Sequence, residues 1–314
     1  MRRKEILLQL LDKLHDSYAS KALVALRVKQ VIESLGGHYV NDHIAFRTFG
    51  LPGFGINSIA APFQALGYQA CGEYYFEEKK LNAIHLEFPE DNTLPKIFIS
   101  ELMVERMSPK VQSFIRAHTR KVDSSFGRGV IGIDQVNLDH FDSIRHALTA
   151  TFLHLDATPW PWVTVEDYKM LKQESEYASW VAAFGNRVNH FTIAIHQSKV
   201  FQEVADINEA VQKVGIKLND SGGLVKGSVD VSLEQSSTVA DLVYWPFAGD
   251  KLEVIPYAYI EFARRFPKDA SLAKPWKHED LYHGFEAMSA DKIFESTYEE
   301  QVKKNEKSEG KTEK

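Results

Sequence analysis

The chain has 314 residues, of which 44% are hydrophobic and 25% are charged. This length and composition allow a substantial core, organised as one large domain or two. The formal net charge of −6 and the pI near 6.1 argue against nucleic-acid or anionic-membrane binding as the main activity. A single cysteine, Cys71, excludes an internal disulfide and a cysteine-based zinc site.

The apolar pattern of the chain also excludes a membrane span, because no segment approaches the roughly 18 to 20 apolar residues that one requires. The N-terminal stretch spaces its leucines as an amphipathic helix rather than as a signal peptide. We therefore expect a soluble, cytoplasmic protein with no nucleic-acid or membrane partner.

The first part of the chain predicts an N-terminal helical region followed by a module of the order β-α-β-β-β. Helical spacing covers residues 3 to 36 and ends at Gly36-Gly37. A strand at 43 to 49, a helix at about 56 to 66 and three strand-like runs then complete a first module at about 38–102.

Residues 103–186 predict a helical insertion, after which the β-α-β-β-β order returns in a second module at about 187–266. That module is expected to contain a strand from His190, a helix at 200 to 215, a strand at 216 to 219 and further strands up to about residue 266. We expect residues 1–300 to form a single catalytic domain. The charged tail 301–314 lacks an apolar pattern, which predicts disorder.

A histidine occupies the same local context in both modules. The first copy reads Asn41-Asp42-His43-Ile44-Ala45, and the second reads Val188-Asn189-His190-Phe191-Thr192. Each histidine follows a polar turn and begins an alternating apolar run, as in a half-buried strand. This repeat indicates two half-sites that face one metal ion. The alternative is that each histidine is structural, which is the commoner role of a single histidine at a strand start.

Arg47 lies four residues after His43, so strand alternation places both side chains on one face, about 13 Å apart along the strand. A guanidinium group matches the geometry of a carboxylate, which makes Arg47 a candidate substrate-binding and catalytic residue. The alternative is a strand whose polar face simply meets water. His196 would lie about 20 Å from His190 along a straight strand, and we interpret it as structural.

Glu261 lies in an otherwise apolar and aromatic run, where a carboxylate has to be paired or bound to a metal. Its nearest rival is Glu253, which a solvated loop could explain. Two imidazoles and one carboxylate are typical of non-haem Fe(II) sites that keep positions open for substrate and oxygen. Glu101 takes the matching place in the first module, and a fourth ligand there would favour a glyoxalase-type metal-dependent isomerase or lyase.

Paired β-α-β-β-β modules resemble the vicinal-oxygen-chelate superfamily, in which two modules form a cupped sheet around a metal. The resemblance implies an α+β fold with a cupped mixed sheet, elaborated by helices at the N-terminus and in the centre.

Several segments, in their order and spacing, resemble the 2-oxoadipate dioxygenase/decarboxylase family over roughly residues 5 to 270. These segments are HIAFRTF, EYYFEEKKLNAIHLEFP, VTVEDY, VNHFTIAIH, EQSSTVAD and YIEFARR. The resemblance implies that Fe(II) and O2 convert a 2-oxo dicarboxylic acid such as 2-oxoadipate into 2-hydroxyglutarate and CO2. It also implies that His43, His190 and Glu261 bind the metal and that Arg47 holds a substrate carboxylate. A non-catalytic protein that binds a small acid remains the third alternative.

Overall fold

The computed structural model describes residues 2–120 and 140–309. Two helices open the chain, α1 (Arg2–Ala19) and α2 (Leu23–Ser34). Their apolar faces are buried, as the leucine spacing predicts, and Leu7 and Leu10 have no exposed surface. The helical region predicted at 3 to 36 is therefore two helices, separated at residues 20 to 22.

The first module contains one helix and four strands. They are β1 (Asn41–Phe49), α3 (Gly55–Ala65), β2 (Gln69–Phe76), β3 (Leu81–Glu87) and β4 (Lys96–Leu102). β1 and β4 are buried along almost their whole length, so the polar residues that they carry are buried inside the molecule.

The region between the modules is helical where the structure describes it, and residues 121–139 lie outside the described residues. Its helices are α4 (Pro109–Thr119), α5 (Phe141–Leu155), α6 (Val165–Glu174) and α7 (Glu176–Phe184). Every residue of α7 from Tyr177 onward is buried. This helix therefore packs inside the molecule and brings Tyr177 and Trp180 against Arg47 of β1.

The second module repeats the first, with one added hairpin. Its elements are β5 (Val188–Ala194), α8 (Val204–Lys213), β6 (Lys226–Ser228), β7 (Leu233–Ser237), β8 (Leu242–Phe247), β9 (Lys251–Pro256) and β10 (Tyr259–Arg265). β8 and β9 pair only with each other in a separate two-stranded sheet. The strand predicted at 216 to 219 is wrong, because that segment contributes only an isolated bridge between Leu218 and Thr238.

The two modules join edge to edge in one curled eight-stranded sheet, in the order β2-β3-β4-β1-β5-β10-β7-β6. β1 and β5 pair antiparallel at its centre. Within each module the first and last strands pair in parallel, β1 with β4 and β5 with β10. This arrangement confirms the predicted α+β fold with its mixed sheet, and the division into one catalytic domain of residues 1–300 stays a prediction.

The last described part of the chain folds back onto the sheet. It includes α9 (Ala287–Ile293) and α10 (Glu299–Glu309), and we call residues 281–297 the covering segment. The disorder expected from residue 301 stays a prediction; in the described residues α10 continues to residue 309, and Gln301 and Val302 are buried. Residues 310–314 lie outside the described residues.

Candidate metal centre

The pairing of the three central strands gathers the predicted ligands on one face of the sheet. His43 of β1 lies opposite Thr192 of β5, and Thr192 lies beside Glu261 of β10. His190 is two residues from Thr192 and therefore shares its face. Ala45 lies opposite His190, and its small side chain leaves space between the histidines.

Each histidine is preceded by a residue at a β-bulge. The β1–β5 pairing shifts between Asn41 and His43, which makes Asp42 an extra residue on β1. It shifts again between Ala45 and Phe46, where Asn189 is the extra residue on β5. A bulge interrupts the alternation of side chains and re-aims one of them. As a result both polar residues contact the ring of the histidine that follows them.

These two contacts orient both imidazoles. Nδ1 of His43 lies 2.8 Å from Oδ1 of Asp42, and Nδ1 of His190 lies 3.0 Å from Oδ1 of Asn189. Because a carboxylate oxygen and an amide oxygen only accept hydrogen bonds, Nδ1 of each ring donates, and Nε2 carries the lone pair. Such second partners fix the tautomer of metal-binding histidines in general.

The Nε2 atoms of the two histidines converge on the Glu261 carboxylate. Nε2 of His190 lies 3.1 Å from Oε2 of Glu261, and Nε2 of His43 lies 3.7 Å from Oε1. One ligand atom from each of the three residues lies within 4.8 Å of the other two. All three side chains are buried. Three electron-pair donors that face one another in a dry site require a proton or a metal cation between them.

The electrostatics of the site keep its histidine neutral and its carboxylate charged. Burial lowers the pKa of His190 to about 4. Burial alone would raise the pKa of Glu261, but attraction to His43, the contact with His190 and the hydrogen bond from Gln235 hold that pKa below its ordinary value. Neutral imidazole and ionised carboxylate are the protonation states that bind metal.

Two further side chains position the ligands. Gln235 of β7 donates from Nε2 to Oε1 of Glu261 at 2.7 Å. The Thr192 hydroxyl lies 3.0 Å from Nε2 of His43. Gln235 therefore fixes one carboxylate oxygen and leaves the other directed at His190.

Arg47 is buried next to this centre, but it does not line the same cavity. Its guanidinium group lies over the rings of Tyr177 and Trp180, at 5.2 and 5.3 Å from their centroids. It donates to the Thr297 hydroxyl at 3.0 Å and to the Phe294 carbonyl at 3.2 Å. Nε of Arg47 has no partner among the described residues. The covering segment thus takes two of the donors that a substrate carboxylate would use.

The alternative carboxylates lie elsewhere. Glu101 pairs with Thr48, which points away from the His43 face, and its Oε2 accepts from the backbone N–H of Ile56 at 2.8 Å. Glu101 also lines a cavity of about 730 Å³ whose lining contains no histidine. Glu253 is exposed on the β8–β9 hairpin. The expectation that Glu101 matches Glu261 is wrong. In the second module Glu261 comes two residues after the strand partner of His190, and in the first module the residue two after the partner of His43 is Phe98.

The covering segment closes the site. Phe285, Ala290, Ile293 and Phe294 lie over His43, His190 and Glu261, and the cavity among these side chains measures about 20 Å³. This volume holds about one water molecule. The Phe285 ring contacts the His43 ring edge-on, with centroids 4.8 Å apart.

The ionic contacts of the covering segment hold it against the first module. Nζ of Lys79 lies 3.0 Å from Asp291 and 3.1 Å from Glu295. The hydroxyl of Tyr74 accepts from the backbone N–H of Phe285 at 3.1 Å. The segment is therefore attached by side chains at the rim of the sheet.

A second group of possible ligands, Cys71, His85 and Glu87, lies on β2 and β3. Both nitrogens of His85 already have partners, the Tyr74 hydroxyl at 2.8 Å and Glu87 at 2.9 Å. The Lys96 ammonium lies 3.8 Å from the second Glu87 oxygen. A cation is already present at this carboxylate, so the group is a satisfied polar network.

Sequence reasoning found the three converging residues and missed those that position them. Asp42 and Asn189 have a readable signal, because each is the polar residue directly before the repeated histidine. Gln235 has none, since only the pairing of β7 with β10 brings it close to Glu261. Residues 281–297 have no apolar periodicity that predicts a cover over the site.

The sequence of the chain is similar to those of known proteins. A family model described as 2-oxoadipate dioxygenase/decarboxylase matches residues 7–270. The chain is 36% identical over 275 residues to the chloroplastic 2-oxoadipate dioxygenase/decarboxylase of Arabidopsis thaliana, covering 83% of this chain and 69% of that protein. It is 36% identical over 299 residues to the chloroplastic/amyloplastic enzyme of Oryza sativa subsp. japonica, covering 91% and 77%.

The fold matches a solved structure as well. The hydroxyglutarate synthase of Oryza sativa, crystallised with 2-oxoadipate, superposes with a TM-score of 0.82 at 33% identity, covering 96% of this chain and 95% of that one. This match again confirms the predicted fold class.

The expected cytoplasmic location is contradicted by the comparisons, because both plant relatives carry plastid names. Composition and the leucine spacing at the N-terminus had suggested the cytoplasm, and neither property distinguishes cytoplasm from plastid stroma. Within the described residues, none of the helices combines the length and apolar character needed to span a membrane.

Proposed function

Since the chain belongs to the 2-oxoadipate dioxygenase/decarboxylase family, we propose that it is a decarboxylating dioxygenase that converts 2-oxoadipate into 2-hydroxyglutarate and CO2 with O2. The observation that carries this proposal is the buried convergence of His43, His190 and Glu261, whose ligand atoms lie within 4.8 Å of one another. We further propose that these three residues bind Fe(II).

The donor set supports iron over a closed structural metal. Two neutral imidazoles and one carboxylate form the facial arrangement of non-haem Fe(II) oxygenases. Bound there, Fe(II) would leave positions open at which a 2-oxo acid and O2 are brought together and activated. Glu101, the feature that favoured a four-ligand isomerase, lies on the other face of the sheet.

The rest of the site supports the positioning of an acid. Arg47 is the proposed contact for a substrate carboxylate, because its guanidinium is buried and its Nε has no partner among the described residues. Arg47 lies close to Tyr259, which lines the cavity. This proximity is reflected in the pKa of Tyr259, which burial raises and the charge of Arg47 lowers.

Substrate entry requires the covering segment to move. Pockets for small molecules usually measure about 300–1,000 Å³, whereas the cavity over the ligands measures about 20 Å³. Displacement of Phe294 and Thr297 would also release the two Arg47 donors that they now hold. We propose that the oxo acid replaces these contacts and thereby favours the open arrangement.

The metal part of the proposal is tested by anaerobic loading with Fe(II), followed by measurement of bound iron. We expect one iron per chain in the wild type and none in His43→Ala, His190→Ala or Glu261→Ala, with the fold retained. Glu101→Ala and Glu253→Ala are the matched controls and should keep their iron. Iron retained by Glu261→Ala but lost from either control would show that the carboxylate ligand is wrongly assigned.

The substrate is tested by oxygen uptake over a panel of 2-oxo acids of different chain length, with and without a distal carboxylate. We expect 2-oxoadipate to support the fastest uptake. Iron binding without uptake on any oxo acid would leave the metal centre in place and contradict the proposed reaction.

A further inference from the structure

A buried arginine on the same strand as Glu261 is not used by the proposed reaction. Arg265 is the last residue of β10, four residues after Glu261 and on the same face of the strand. It is 1% exposed. Burial of a guanidinium at this depth is costly unless its donors are paired.

Each of its three nitrogens donates to a partner, and these partners belong to two groups. Nε and Nη2 donate to the two oxygens of Asp42 at 2.7 and 2.8 Å. Nη1 donates to the backbone carbonyls of Tyr282 and Gly284 at 3.0 and 2.8 Å. One side chain thus joins the bulge before His43 to the covering segment.

We propose that Arg265 is a positioning residue for the metal centre, holding the His43 imidazole through Asp42 and the Phe285 ring through the carbonyls of Tyr282 and Gly284. The inference rests on the proposed metal function of His43. Nothing in it requires Arg265 to touch metal or substrate.

We call the contacts of Arg265 with Asp42 its first arm and those with the Tyr282 and Gly284 carbonyls its second arm. The first arm determines the orientation of the His43 ring. One oxygen of Asp42 accepts a hydrogen bond from Nδ1 of His43, and both of its oxygens accept hydrogen bonds from Arg265. The planar two-donor fork of arginine fixes the carboxylate in its plane. A fixed carboxylate holds the Nδ1–H tautomer and directs Nε2 toward Glu261. Removal of such a second partner weakens metal binding about 10- to 100-fold in other sites.

The second arm acts on the cover. Tyr282 and Gly284 flank His283 directly before Phe285, whose ring lies 4.8 Å from the His43 ring and 5.1 Å from the Arg265 guanidinium. The same guanidinium therefore determines where the covering segment begins its contact with the imidazole. A lysine in its place has a single charged nitrogen and cannot serve both arms in this geometry.

The test measures Co(II) affinity of the metal-free protein by titration of its visible absorption, together with the melting temperature. We expect Arg265→Met and Asp42→Asn to bind Co(II) about 10- to 100-fold more weakly than the wild type. Arg264→Met is the matched control, because Arg264 is the neighbouring residue, is only half-buried and pairs at 3.7 Å with Glu203 and Glu234. Its affinity should equal that of the wild type.

Amide hydrogen exchange of residues 281–286 separates the two arms. It should accelerate in Arg265→Met and stay near the wild-type rate in Asp42→Asn, which keeps the carbonyl contacts. If Arg265→Met does not fold, Arg265→Lys and Asp42→Asn decide the first arm, and exchange in Arg265→Lys decides the second.

Two results would overturn the inference. Co(II) affinities within about twofold of the wild type, with only a lower melting temperature, would show that Arg265 merely stabilises the fold. Amide hydrogen exchange of residues 281–286 that stays at the wild-type rate in both Arg265→Met and Arg265→Lys would show that the second arm does not hold the covering segment. A wild type that binds no Co(II), or a His43→Ala variant that binds it as tightly, would instead contradict the proposed metal centre itself.

Discussion

Phe285→Ala should tighten the binding of the oxo acid while it destabilises the protein. Phe285 is 4% exposed, and its ring lies 4.8 Å from the rings of both His43 and Phe98. These contacts exist only while the covering segment is closed. Their loss should therefore raise the free energy of the closed arrangement more than that of the open one.

The magnitude follows from the burial of the ring. A buried Phe→Ala substitution costs roughly 3–5 kcal/mol. If about 3 kcal/mol of this falls on the closed arrangement alone, the ratio of open to closed molecules rises by roughly 100-fold. A ligand that needs the open arrangement gains at most that factor, and we expect a decrease in its Kd of at least about 10-fold.

Binding of 2-oxoadipate to the Co(II) protein without oxygen measures this Kd, and urea unfolding measures the stability. Phe63→Ala is the control, because Phe63 is fully buried and packs against Phe46 and Tyr68, away from the cover. It should lose similar stability with an unchanged Kd. A Kd for Phe285→Ala that equals or exceeds that of the wild type would refute the reasoning, and would identify the ring as a wall of the substrate site.

Arg47→Lys should keep the metal but lower kcat/KM for dicarboxylic oxo acids about 30- to 1000-fold, because an ammonium lacks the two-donor fork. Steady-state assays should show a much smaller loss of kcat/KM on a monocarboxylic analogue. Equal losses on both substrates would place Arg47 at the chelating carboxylate. Lys79→Met should loosen the covering segment, since its ammonium pairs with both Asp291 and Glu295; hydrogen exchange in residues 287–297 should accelerate, and an unchanged rate would mean that these pairs do not hold the cover. The metal-free protein should lose stability as the pH falls from 6.5 to about 4, because the unfolded chain protonates His190 near 6.5 and the folded chain only near 4. That gap between the two pKa values corresponds to about 3 kcal/mol. Urea unfolding at several pH values should show that the stability of His190→Gln depends correspondingly less on pH. An equal pH dependence of stability in the two proteins would contradict the depressed pKa.

The three converging residues were predictable because their signals are local. The polar residue–histidine pair that begins a strand occurs at His43 and again at His190, and Glu261 is a carboxylate within an apolar run. Each signal spans fewer than ten residues. The α+β fold followed from the same repetition, since the order of strands and helix recurs around the two histidines.

The remaining features depend on pairing between distant segments. Glu101 was expected to match Glu261 from its place in the last strand of the module, but the β1–β4 register sets Glu101 opposite Thr48. One residue of strand register decides the face of a side chain, and composition does not specify that register. The tail from residue 301 has a charged, disorder-like composition, yet Val302 is buried against the fold.

The most direct test of the central claim is the stoichiometry of one turnover by the Fe(II)-loaded protein with 2-oxoadipate. O2 consumed, CO2 released and 2-hydroxyglutarate formed should be equal in moles, because one 2-oxoadipate and one O2 together contain the same atoms as one 2-hydroxyglutarate and one CO2. The activity should disappear in Glu261→Ala and persist in Glu101→Ala. Release of CO2 without consumption of O2, or full turnover in Glu261→Ala, would contradict the account.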